Sequence, residues 1–125
     1  MNENELARIV VDICFQLHVK YGPGLFESVY EEIICYELTK RDIPFERQLK
    51  FKVWHDGKDM GIGFKADIVV GNKLILELKS TENLSEVHFK QVITYLKVTG
   101  LKLGLLINFR TPLIKDGIHR LVNNL

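Results

Sequence analysis

A chain of 125 residues suits one domain, spanning 1–125, and can bury a core without disulfide or metal staples. Hydrophobic residues at 46% and charged ones at 26% exclude intrinsic disorder, while a net charge of +1 neither favours nor excludes nucleic acid, because cleavage needs only a local basic groove. Met1 to Glu5 has neither a basic nor an apolar leader region, and no apolar run approaches bilayer length, so the expectation is a cytoplasmic protein without a membrane partner.

Leu6, Ile9, Val10, Ile13 and Leu17 recur at helical spacing and predict a helix from Glu5 to Lys20, stopped by Tyr21-Gly22-Pro23-Gly24. A second helix runs from Leu25 to about Arg41 and ends at Asp42-Ile43-Pro44. Cys14 and Cys35 lie beside apolar residues in these helices and read as small, buried, reduced hydrophobes. Phe45, Arg47, Leu49, Phe51 and Val53 then alternate with polar residues, a strand pattern closed by an Asp56-Gly57 turn. A second strand covers Gly61 to Val70 and a third Leu74 to Lys79. Both are rich in Ile, Val and Leu, so at least one face is buried.

Gly61-Ile62-Gly63-Phe64-Lys65-Ala66 fits the letter of a dinucleotide-binding pattern, but it enters a strand where that pattern must open a helix. Asn83 or Ser85 is positioned to cap a helix from Ser85 to Thr99, closed by Gly100. Leu103 to Phe109 reads as a central strand. After Thr111-Pro112 and an Asp116-Gly117 turn, Ile118 to Val122 reads as a short last strand. The strand–helix–strand unit favours parallel pairing, so the fold class is α/β or α+β with a mixed sheet. The histidines at 18, 55, 88 and 119 have no zinc-like spacing, and Lys40, Arg41, Arg47, Lys50, Lys52 and Lys58 form a loose basic segment.

Acidic residues inside apolar strands are the anomaly. Asp67 sits in Ala66-Asp67-Ile68-Val69-Val70, and Glu77 and Lys79 sit in Leu74-Ile75-Leu76-Glu77-Leu78-Lys79. Burying such charges is costly unless they are paired or bound to metal. Alternation puts Glu77 and Lys79 on one face of their strand. Two carboxylates can hold a hard divalent cation, and a neighbouring lysine can stabilise the extra negative charge of phosphodiester cleavage. The alternative is a structural ion pair on an ordinary strand.

The chain resembles the GxxExxY proteins, a branch of the PD-(D/E)XK nuclease-like superfamily. The naming motif stands as Gly24-Leu25-Phe26-Glu27-Ser28-Val29-Tyr30. Arg47-Gln48, Ala66-Asp67, Glu77-Leu78-Lys79, Gln91-Val92-Ile93-Thr94-Tyr95 and Leu103 to Phe109 also match, in family order. Ala66 replaces the proline of the superfamily name, a position that carries no ligand.

The resemblance implies a restriction-endonuclease-like αβββαβ core. It implies Glu27 as an acid from the first core helix, joining Asp67 and Glu77 on Mg²⁺ (with Mn²⁺ as substitute). Lys79 and Gln91 complete the implied catalytic set. Tyr30, Arg47, Gln48, His88 and Tyr95 are implied contacts to nucleic acid, taken as DNA. His88, Gln91 and Tyr95 share one helix face at spacings of three and four. A homodimer is compatible with one site cutting one strand at a time. The function expected is a metal-dependent nuclease. The alternative is a nuclease-fold module that binds nucleic acid or protein without cutting.

A register requirement follows. If Asp67 and Glu77 meet, residue 70 must lie opposite 74, leaving Gly71-Asn72-Lys73 as a three-residue connection. A two-residue turn would pair 70 with 73 and send the acids to opposite faces.

Overall fold

The computed structural model describes residues 1–125. The first helix, α1 (Glu3–Tyr21), begins at Asn2. The Asn2 side chain accepts the Glu5 amide at 2.8 Å while the Glu5 carboxylate reaches back to the Asn2 amide, a reciprocal cap that satisfies two orphan donors. It ends at Gly22, whose positive φ of 73° turns the chain out while its amide donates to the His18 carbonyl. The second helix, α2 (Glu27–Lys40), follows a short loop.

Next come β1 (Phe45–His55), β2 (Lys58–Val70), β3 (Leu74–Lys79), α3 (Glu86–Thr99), β4 (Leu103–Asn108), a 3₁₀ turn at Ile114–Asp116, and β5 (Ile118–Val122). The strands form one five-stranded sheet in the order β1-β2-β3-β4-β5. Every pairing is antiparallel except β3 with β4, the pair that α3 connects. This is the expected mixed sheet with three helices, an α+β architecture of restriction-endonuclease-like type.

The first hairpin is longer than the sequence pattern predicted. Asp56 and Gly57 both adopt positive φ, so a tight two-residue turn pairs His55 with Lys58 and extends both strands to it. Alternation hid this, because β2 carries irregularities around Met60 to Gly63 that disrupt the period of two. The dinucleotide-like stretch lies wholly inside β2. In the second hairpin Val70 pairs with Leu74, Val69 with Ile75 and Ile68 with Leu76, leaving Gly71-Asn72-Lys73 as the connection. That is the register a shared site demands. The 3₁₀ turn at Ile114–Asp116 had no signal beyond the Asp116-Gly117 turn.

The sheet buries both faces. On one, Ile68, Val70, Leu74, Leu76, Leu78, Leu103, Leu105 and Ile107 pack against α1 and α2 residues including Leu6, Val10, Ile13, Ile34 and Leu38. Cys14 and Cys35 are buried and free, as expected, and burial pushes the Cys14 thiol up to about 12. On the other face a smaller cluster of Ala66, Val69, Ile75 and Leu96 lies under α3. Gly104 lets α3 sit close, since a Cβ there would meet Val92 Cγ1 at 2.7 Å.

Gly117 is tighter still. A Cβ at that position would overlap the Asn108 carbonyl oxygen, which is backbone and cannot yield like a side chain. Gly117→Ala should therefore lower the denaturant midpoint without changing the m-value, at a cost of about 1–3 kcal/mol typical of overpacking.

Candidate active site at the fork between two strands

The ladder between β2 and β3 stops at Ile68–Leu76. One step further Asp67 lies beside Glu77, and the strands part. The amides left without sheet partners are taken up by the two acids. The Asp67 amide donates to Glu77 Oε1 at 3.1 Å, and the Leu78 amide donates to Asp67 Oδ2 at 2.8 Å. Sheet bonds are thus replaced by reciprocal backbone-to-carboxylate bonds, which answers the problem of buried unpaired donors. Meanwhile β3 stays paired with β4 as far as Lys79 opposite Asn108. The fork therefore lies at the carboxyl end of a parallel strand, where open sheets characteristically place ligands.

Both acids hold their protons more tightly than usual. Burial pushes the Glu77 carboxyl up to about 8, and the adjacent Asp67 charge adds to the rise against the pull of Lys79. Burial likewise raises Asp67, with the Leu78 amide pulling it down and Glu31 pushing it up. Two carboxyls so close share the cost of ionising and titrate as a pair.

Glu27, the first residue of α2, is also raised by burial, with Lys79 opposing and Asp67 reinforcing the shift. Glu27, Asp67, Glu77 and Lys79 are therefore assembled in one neighbourhood. No three His, Cys, Asp or Glu side chains converge closely enough to hold a metal by themselves. Two carboxylates with the rest of the shell left to water and substrate oxygens is the pattern of a hard divalent cation that dehydrates reluctantly, so the donor set fits.

On the α2 side the structure adds a residue that the sequence reading missed. Glu31 is buried and accepts from Arg47 Nη2 at 2.8 Å, Arg47 Nε at 3.2 Å and Gln48 Nε2 at 2.7 Å. Gln48 Nε2 also reaches Asp67 Oδ1 at 3.4 Å. Glu31 lies four residues after Glu27, hence on the same helix face, and that spacing was the available signal.

Arg47 and Gln48, expected as nucleic-acid contacts, are exposed and direct these donors at Glu31. Glu32 and Glu31 raise the Arg47 pKa still further. The wider basic segment is largely neutralised in the same way, with Lys40 and Arg41 on Glu37 and Lys52 on Asp59.

Tyr30 departs from its expected role. It is 0% exposed, its ring stacks on Phe109 at 4.0 Å, and it cannot touch a nucleic acid. Its hydroxyl donates to the Gly22 carbonyl at 2.6 Å and accepts from the Leu25 amide at 3.1 Å, fixing the loop that presents Glu27.

On α3, Val92 and Leu96 are buried as the helical pattern requires. Tyr95 stacks on Phe64 at 4.0 Å, and after burial it is the Glu77 and Asp67 charges that raise its pKa, which puts it within electrostatic reach of the fork. Gln91 is exposed in an open groove with Gly63, Phe64, Lys90 and Tyr95, and makes no hydrogen bond to either acid. His88 is tied to the start of the helix, its Nδ1 accepting the Ser85 amide at 3.1 Å, so only the opposite ring edge is available to a ligand.

Asn108 was legible only as part of an apolar motif, yet it is buried and polar. Its Oδ1 accepts the Thr81 amide at 3.1 Å and its Nδ2 donates to the Thr81 carbonyl at 2.9 Å. That clamp holds the loop immediately after Lys79.

Comparison with known proteins places the fold in a family. A family model of the PD-(D/E)XK nuclease superfamily matches residues 4–121. The chain belongs to that superfamily. No curated protein and no solved structure matches it significantly. No helix is long and apolar enough to cross a membrane.

Two outcomes follow. Tyr30→Phe leaves the Leu25 amide without its acceptor, so it should cost about 1–3 kcal/mol, read by denaturant unfolding, while leaving any direct nucleic-acid contact untouched. The second concerns pH. With Glu77 near 8 in the fold and at its ordinary 4.5 in the unfolded chain, the native state binds more protons between those values. The associated stability is present below about 4.5 and disappears as pH rises through about 8. Glu77→Gln keeps an acceptor for the Asp67 amide and removes the charge. Its Tm should exceed that of the wild type by a few degrees at alkaline pH, with the difference vanishing at acidic pH, as followed by thermal melts across that range.

Proposed function

We propose that this chain is a Mg²⁺-dependent nuclease, with Mn²⁺ as substitute, hydrolysing phosphodiester bonds in DNA, and that residues 1–125 act as one PD-(D/E)XK domain of the GxxExxY branch. The observation that carries this reading is the pairing of Asp67 and Glu77 at the fork, with Lys79 two residues beyond on the same strand. Two carboxyl groups held side by side with raised proton affinity support this reading, since a cation binding between them would displace the protons they hold.

Asp67 and Glu77 would hold the cation, and Glu27 would face its water shell from α2. The bound cation would supply Lewis acidity at the scissile phosphate and an easier source of hydroxide. Lys79 neutralises negative charge as it grows on the phosphoryl oxygens, and the pairing of its strand with β4, which continues to Lys79 opposite Asn108, holds its backbone in place. Glu31, Arg47 and Gln48 position Asp67 from behind. Tyr95 walls the α3 side and offers a hydroxyl to the phosphate backbone, and Gln91 borders the route by which a strand would reach the pair. His88 keeps one ring edge for such a strand. The protein works in the cytoplasm, and two copies would be needed to cut both strands of a duplex at once.

The test pairs metal titration with cleavage of labelled DNA. Asp67→Ala should bind Mg²⁺ or Mn²⁺ poorly and lose cleavage. Lys79→Ala should still bind metal and lose about 10²–10³-fold in rate, the scale of removing one charge-stabilising group. Metal affinity of the wild type should rise with pH toward about 8, as the shared proton is displaced. A wild type that binds DNA but never cuts with either ion would establish a binding module instead. Equal cleavage by wild type and Asp67→Ala would remove the pair from the mechanism.

A further inference from the structure

Phe26 is 81% exposed at the entry to α2. It borders two depressions. One is shared with Glu31, Gln48 and Asp67, the other with Gly24, Ser80 and Arg110, and Glu27 borders both. The depressions adjoin across Phe26 and Glu27, making a path past the fork with a phenyl ring in its middle and a guanidinium at one end.

Neither side chain serves the fold. Phe26 joins neither apolar cluster, and Arg110 forms no ion pair. Their backbones, however, are held firmly and to each other. The Leu25 amide before Phe26 is bound by the Tyr30 hydroxyl, Tyr30 stacks on Phe109, and Phe109 precedes Arg110. The Arg110 amide donates in turn to Asn108 Oδ1 at 3.3 Å.

An exposed aromatic face and an unpaired cation that border one depression, each on a held backbone, match one ligand chemistry. A nucleobase can lie on the ring while a phosphate meets the guanidinium. An intact duplex offers the ring no free base face, because its bases are stacked on one another and stacking on the ring would first require one to be unstacked. The structure assigns Phe26 and Arg110 to gripping an unpaired nucleotide next to the scissile phosphate, Phe26 on its base and Arg110 on its phosphate. The substrate class is therefore a nucleic acid with an unstacked base at the cut, such as a single strand, a flap or a bulge. The position of the cut rests on the nuclease reading, but the grip does not.

The experiment measures binding with Ca²⁺ in place of Mg²⁺, using one sequence carrying 2-aminopurine as a single strand, as an intact duplex and as a duplex with that base unpaired. Wild type should bind the two unpaired forms about tenfold or more tightly than the duplex, with 2-aminopurine quenched by stacking. Phe26→Ala, with unchanged melting temperature, should lose that preference and the quenching while duplex binding stays the same, and Phe26→Trp should restore both. Arg110→Gln should weaken binding to the single strand and flatten its log–log salt dependence by about 0.7, one phosphate contact. Equal or tighter binding of the duplex by wild type, a Phe26→Ala variant that binds like wild type, or no binding by any probe would each overturn the inference. Probes that bind in the expected pattern yet are never cut with Mg²⁺ or Mn²⁺ would support the grip and defeat the nuclease reading alone.

Discussion

Two backbone amides with no strand opposite them govern this structure. Where β2 and β3 separate beyond Ile68 and Leu76, the donors of Asp67 and Leu78 would be left unsatisfied beside a dense apolar core. A carboxylate is the side chain richest in acceptors, and one from each strand closes the gap. That solution forces two acids together in a poorly solvated place, and the resulting repulsion is relieved by a shared proton or by a cation. The structural requirement and the chemical capacity therefore reside in the same four oxygen atoms.

The backbone around the fork is shaped to allow this. Arg47 turns to α2 to meet Glu31, whereas Leu49, two residues on, packs on the α3 side. Across the ladder Ile68 and Ala66 divide between the same two clusters. Residues two apart on a flat strand share a face, so both strands must roll over at the level of Gln48 and Asp67. The φ of 50° at Gln48 is the local sign of that roll, a left-handed conformation costing of order 1–2 kcal/mol outside glycine. It turns the Gln48 amide toward Glu31 and Asp67 together.

Much of this was readable in the sequence because the informative residues broke a pattern. Acids in runs of Ile, Val and Leu marked the fork, and counting residues across Gly71-Asn72-Lys73 fixed its register, since only one spacing brings 67 to 77. The helices and strands emerged with nearly their observed bounds, because the helices carry apolar residues at helical spacing and the central strands, buried on both faces, read as continuous apolar runs between turn residues. What stayed hidden depended on partners far apart in sequence. Glu31 looked like any helix surface acid until Arg47 and Gln48 folded over it. Tyr30 carried a motif signal that motif logic turns toward ligand, whereas packing turns it toward Phe109. Spacing along a helix says which side chains share a face, but not whether that face meets solvent or another element.

The bonds that hold the fork together require acceptors, not charges. An amide in place of either acid keeps an oxygen for the orphan N–H while discarding the capacity to hold a cation. Drift at these two positions can therefore silence the chemistry in a single substitution and leave the architecture, and any surface that grips a ligand, fully under selection. A lineage built on this fork can therefore lose or regain a charged pair of acids in one substitution while remaining well folded.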